Sequence, residues 1–114
     1  MAALREPTFL ILTALAGAPL HGYGILQQVG DLSGGDVVLG AGTLYGALDR
    51  LAEQGLIAVD REEAIDGRLR RYYRLTDDGA SRLAVEVERL RRNANAAAAG
   101  LRRRAAGGFA IGAA

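Results

Sequence analysis

Residues 43–76 read TLYGALDRLAEQGLIAVDREEAIDGRLRRYYRLT, and this stretch decides the fold. Leu44, Ala47, Leu48 and Leu51 recur at the i, i+3, i+4, i+7 spacing that places them on one face of a helix. Gly55 ends that pattern. Two runs with β-type residues follow, one holding Ile57 and Val59, the other Tyr72 and Tyr73, and they flank Asp66-Gly67. A D-G step between two such runs is a strong hairpin signal. Arg68, Arg70, Arg71 and Arg74 lie between Gly67 and Leu75 with no acid among them, so this arm reads as a local cation on a thin projection. A helix beside a basic hairpin suits gripping duplex DNA.

Working outward, the 114 residues fit one domain with a core of its own. Charge is unevenly divided. Residues 1–58 hold two arginines against five acids, and residues 59–114 hold twelve arginines against eight acids, so a net +1 conceals a basic second half. All fourteen basic residues are arginine, which reads as a compositional bias of the source rather than as a device. There is no cysteine, hence no disulfide framework and no thiolate metal site. The run from Phe9 to Leu15 is far shorter than the roughly 20 residues a membrane span needs, and no leader pattern precedes it. A cytoplasmic location is expected.

Upstream, Leu4 to Ala16 reads as a helix with Pro7 near its start, apolar around most of its circumference. Such a helix must be covered on more than one side. A second helix is expected over Tyr23 to Leu32, with Ile25, Leu26, Val29 and Leu32 inward. His21, the single histidine, reads as a capping or packing residue at its start. Ser33 to Asp36 reads as a loop, and Val37-Val38-Leu39 as a short β bridge. Gly40 precedes the third helix where Ser or Asp would cap better, by about 1 kcal/mol.

Downstream, Thr76 with Asp77 and Asp78 forms a helix start suited to the helix dipole. Ala80, Leu83, Val87, Leu90, Ala94, Ala97 and Leu101 are then spaced alternately by three and four, the seam of a coiled coil. This helix is expected to pair with another. Fraying is expected beyond Arg104.

HGYGI at 21–25, GTLYGALDRLAEQGLI at 42–57 and GRLRRYYRLTDDG at 67–79 resemble, in order and spacing, the PadR-type bacterial transcriptional regulators. The resemblance covers about residues 6 to 92. It implies a mainly α fold with a small β-hairpin wing: a winged helix-turn-helix domain over 1–75, a C-terminal dimerisation helix over 76–106 and a flexible tail over 107–114. It further implies a homodimer formed through the C-terminal and N-terminal helices, repression at a promoter, and a small-molecule effector at the dimer interface. The dimerisation residues would be Phe9, Leu12, Leu83, Val87, Leu90, Ala94 and Leu101. The DNA contacts would fall on Thr43, Tyr45, Gly46 and Arg50 of the third helix and on Gly67, Arg68, Arg70 and Arg71 of the wing. Two positions depart from the family pattern, Gly40 where a capping Ser is common and Leu69 where the wing often has proline. No Trp is present to build an aromatic sandwich for flat ligands.

Within this scheme Arg68 is expected in a minor groove, and either Arg70 or Arg71, which point to opposite faces of the strand, on phosphate. Arg50 would reach phosphate or guanine, and Asp49 would need an arginine partner. Two serines, one histidine and no cysteine form no recognisable catalytic or metal set, so no enzyme, cofactor or metal is expected. The competing reading is a winged-helix protein-interaction module whose wing docks an acidic partner.

Overall fold

A computed structural model describes residues 2–107. In chain order the elements are α1 (Glu6–Gly17), β1 (Leu20–His21), α2 (Gly22–Leu32), α3 (Ala41–Glu53), β2 (Ile57–Ile65), β3 (Arg68–Leu75) and α4 (Asp77–Gly107). The strands form one antiparallel sheet in the order β1-β3-β2. Residues 1–84 and 85–114 make two compact units.

The first unit closes around α1, α2, α3 and the core face of the sheet. Its core holds Leu10, Ile11, Leu12, Leu15, Ile25, Val29, Leu44, Leu48, Leu51, Ile57 and Tyr73. The helical stripe read at 44, 47, 48 and 51 is the buried face of α3. Leu12 was expected at a subunit interface. It is 0% exposed within the chain's own core and has no surface left for a partner, whereas Leu83 is partly buried against that core. The covering that an all-apolar α1 demands is therefore supplied at Leu12 from within.

The third strand lies elsewhere than expected. Val37-Val38-Leu39 forms no strand; Val37 and Leu39 tuck against the core while Val38 is 84% exposed, and the Ser33 hydroxyl holds the Val37 amide at 3.0 Å. The extra strand is Leu20–His21, where Pro19 has already ended α1 and the extended chain meets Tyr73 and Tyr72 of β3.

Asp66 and Gly67 at the hairpin tip have φ of 52° and 77°, the paired left-handed geometry of a type I′ turn. At the other end, α3 stops in a Schellman motif: Gly55 has φ 75°, the Leu56 amide donates to the Leu51 carbonyl, and the Gly55 amide to that of Ala52, both at 3.0 Å. Thr76 ties this turn to α4. Its hydroxyl donates to the Gly55 carbonyl at 2.6 Å and accepts from the Gly79 amide at 3.0 Å, so one side chain caps α4 and anchors it to the end of α3.

The second unit contains the remainder of α4. The helix runs to Gly107, past the expected fraying point at Arg104, and residues 108–114 of the expected tail lie outside the described residues. Leu90 and Leu101 of the seam are 40% and 64% exposed, and Ala94 and Ala97 are exposed too. Glu86 is buried and accepts from Arg89 Nε at 3.1 Å.

Candidate nucleic-acid interface

A cleft of about 740 Å3 opens between the start of α2, the outer side of α3 and the wing. His21, Gly22 and Tyr23 line one wall, Tyr45 and Asp49 the second, and residues from Ile65 to Arg71 the third. Sheet register explains the third wall. Side chains alternate along β3, so Leu69 and Arg71 share the face of buried Tyr73, and they extend it beyond the core. Arg68, Arg70 and Tyr72 take the opposite face, opposite Ile65, Glu63 and Arg61.

Pairing also corrects the picture of the hairpin as a bare cation. Over residues 57–75 five arginines meet four acids, because β2 carries Asp60, Glu62 and Glu63 and the turn carries Asp66. A β-bulge between Val59 and Arg61 sets the local register. Arg61 is engaged by two carboxylates: it donates to Glu63 at 2.8 Å and Asp60 at 3.0 Å, with its guanidinium 3.9 Å above the Tyr72 ring. The hydrogen bond from Arg61 holds the Glu63 carboxyl below its usual range and keeps it ionised. Arg71 makes a loose pair with Glu62 at 3.8 Å. Arg68 and Arg70 have no carboxylate within 4.0 Å among the described residues, so their charge remains available to a ligand.

Of the residues expected at DNA, Tyr45, Arg68, Arg70 and Arg71 meet in the cleft. Thr43, Gly46 and Arg50 do not line it. They occupy the adjoining outer surface of α3, with Thr43 in the first turn and the Arg50 guanidinium lying back over Gly46. Gly67 serves the turn. Asp49 lines the cleft without an ion pair among the described residues, so the arginine partner expected for it is not there.

Three lining residues escaped the motif reading. Gly22 is buried beneath Tyr45; a Cβ at Gly22 would lie 2.9 Å from Tyr45 Cζ, so the glycine makes room for the phenol. Tyr23 is 65% exposed at the cleft wall. His21 caps α2, its Nδ1 accepting from the Gly24 amide at 3.2 Å, as its expected capping role requires. The tyrosine rings of Tyr72, edge-on at 5.3 Å, and Tyr23, parallel at 6.5 Å, flank its imidazole. Burial, and then the nearby Arg70 charge, hold the His21 pKa below its ordinary value. The adjacent HGYG glycines were the available signal, because two glycines beside a histidine and a tyrosine mark a close approach.

A short helix pair, a third helix with an exposed outer face, and a two-stranded wing framing a basic cleft define the winged helix-turn-helix class. Residues 11–85 match the transcriptional regulator PadR-like family. The chain belongs to that family, whose members are transcriptional regulators and not enzymes. It is 41% identical over 88 residues, 77% of its length, to an uncharacterized 37.1 kDa protein in transposon TN4556 of Streptomyces fradiae, of which it spans 24%. A PadR family transcription regulator from Clostridium difficile R20291 superposes with a TM-score of 0.72 at 27% identity, covering 85% of this chain and 99% of that one. Bacillus subtilis PadR in complex with operator DNA superposes with a TM-score of 0.66 at 25% identity, covering 73% and 48%. Among the described residues no helix is long and apolar enough to cross a membrane, and no group of three or more His, Cys, Asp and Glu is placed to hold a metal.

Proposed function

We propose that this chain is a sequence-specific DNA-binding transcriptional repressor that acts as a homodimer and answers to a small-molecule effector. The observation that carries this reading is the cleft between α3 and the wing, where Tyr45 meets Arg68, Arg70 and Arg71 and two of the arginines form no ion pair within 4.0 Å among the described residues. The operator complex of the Bacillus subtilis relative supports the ligand class. Thr43, Tyr45, Gly46 and Arg50 of α3 enter a major groove, and Gly67, Arg68, Arg70 and Arg71 of the wing follow the backbone beside it. Phosphate contacts from the wing supply affinity without sequence choice. The exposed α3 face is small, so much of the selectivity falls to the spacing of two domains across a dimer.

The dimer is carried by α4. Its 31 residues extend about 46 Å, with Leu90 and Leu101 exposed on the heptad seam and Val87, one seam position before Leu90, half-buried. Phe9 of α1 joins that interface. An effector that changes how two α4 helices meet changes the half-site spacing the dimer accepts.

Fluorescence anisotropy on DNA from upstream of the gene, at several salt concentrations, tests the DNA reading. Affinity should fall steeply with salt, and Arg68→Ala should reduce the slope of log K against log salt by about 1. Equal affinity for random DNA would refute sequence specificity.

A further inference from the structure

The α2 start contributes a polar atom to the cleft that the wing and α3 do not account for. The imidazole of His21 is held from three sides: Nδ1 accepts from the Gly24 amide at 3.2 Å, Tyr72 stands edge-on at 5.3 Å and Tyr23 lies parallel at 6.5 Å. Backbone pairing of His21 with Tyr72 fixes the chain beneath it. Because Nδ1 is an acceptor, the neutral ring must carry its proton on Nε2. That N–H has no protein partner among the described residues, and no unpartnered side-chain nitrogen or oxygen is buried, so it is open to solvent in the cleft.

Gly24 sits beside the ring, and its lack of a side chain leaves open the space where a Cβ would stand 3.7 Å from Nε2. The groups around it favour an anion. Arg70 approaches from β3, and Arg68 and Arg71 line the same cleft. Tyr23, Tyr45 and Tyr72 are neutral at ordinary pH, and Asp49 and Asp66 are the carboxylates on the cleft walls.

We propose that His21 is a DNA-positioning residue that donates its neutral Nε2–H to one backbone phosphate, while Nδ1 remains occupied by the α2 cap. The inference rests on the DNA-binding reading of the cleft and adds a contact made by an uncharged group. Desolvation and the Arg70 charge both oppose protonation, which agrees with a neutral donor. The donor's chemistry sets it apart from the wing arginines. An arginine on phosphate releases a counterion and steepens the salt dependence, whereas a neutral N–H adds affinity and leaves the slope unchanged.

The test uses His21→Asn, which keeps a side-chain oxygen to cap α2 but is too short to reach the phosphate. Binding to the upstream DNA is measured by anisotropy at four salt concentrations beside wild type and Arg68→Ala. His21→Asn should weaken binding about 2- to 12-fold, the range of one neutral hydrogen bond, with an unchanged slope, while Arg68→Ala lowers the slope by about 1. Since His21 is the single histidine, 15N-histidine NMR reads it directly. The Nε2–H tautomer should be present in the free protein and its proton should become protected from exchange on DNA. Unchanged affinity in His21→Asn, a slope that falls as for arginine, or an imidazolium in the complex would each overturn the proposal while leaving DNA binding intact. Failure of wild type itself to bind would instead remove the reading on which it rests.

Discussion

Tyr45 of α3 lies directly on Gly22, the first residue of α2, so closely that any side chain there would strike the phenol ring. One glycine thus sets the pose of an aromatic side chain that is half exposed to the cleft. Gly22→Ala should displace the ring outward, because its far end is free to swing. Stability should change little, while DNA affinity falls. In a double-mutant cycle the losses of Gly22→Ala and Tyr45→Ala should be non-additive, with a coupling of about 0.5 kcal/mol or more. Additive losses would separate the two residues.

Gly79 presents the opposite case. A Cβ there would overlap the Leu56 carbonyl and stand 2.7 Å from Leu75 Cδ1, and backbone cannot rotate away. Gly79→Ala should destabilise the protein by about 1–3 kcal/mol, the usual cost of overpacking, read from urea unfolding. Thr76→Ala removes the cap and the tie to Gly55 and should cost about 1 kcal/mol. A wild-type midpoint for Gly79→Ala would refute the tight junction.

His21 makes stability depend on pH. Its folded pKa lies below the ordinary 6.5, so on acidification the unfolded chain takes up the proton first. Stability is fully present above 6.5 and is lost as pH falls through the folded value, giving a positive slope with pH in that window. The denaturation midpoint should drop between pH 7.5 and 5.5, above the carboxylate range, and His21→Asn should remove most of the drop. An equal drop in both proteins would assign it to other groups.

Leu90→Glu places a charge at an exposed apolar position of the α4 seam. Light scattering should report a dimer for wild type and a monomer for the variant, with circular dichroism unchanged because Leu90 lies outside the winged-domain core. An unchanged mass would remove Leu90 from the proposed interface.

Local chemistry alone made much of this protein legible. The α3 stripe, the Asp66-Gly67 turn, the His21 and Thr76 caps and the basic arm all follow from residue spacing and short-range hydrogen bonding, which operate within a few positions of the chain. β1 was not legible, because a two-residue strand exists only through its partner β3. Nor was the balance of charge in the wing, since Glu62 pairs with Arg71, and Glu63 comes to stand across from Arg70, only after the hairpin closes.

The sequence by itself determined the elements and the class of fold, since helix and strand periods and turn residues act locally. Tertiary structure decided which side chains share the cleft. Only packing could bury Gly22 beneath Tyr45, enclose Leu12 within the core, pair Arg61 with Asp60 and Glu63 while leaving Arg68 and Arg70 outside any ion pair among the described residues, and bring the capping histidine to the wall of the same cleft.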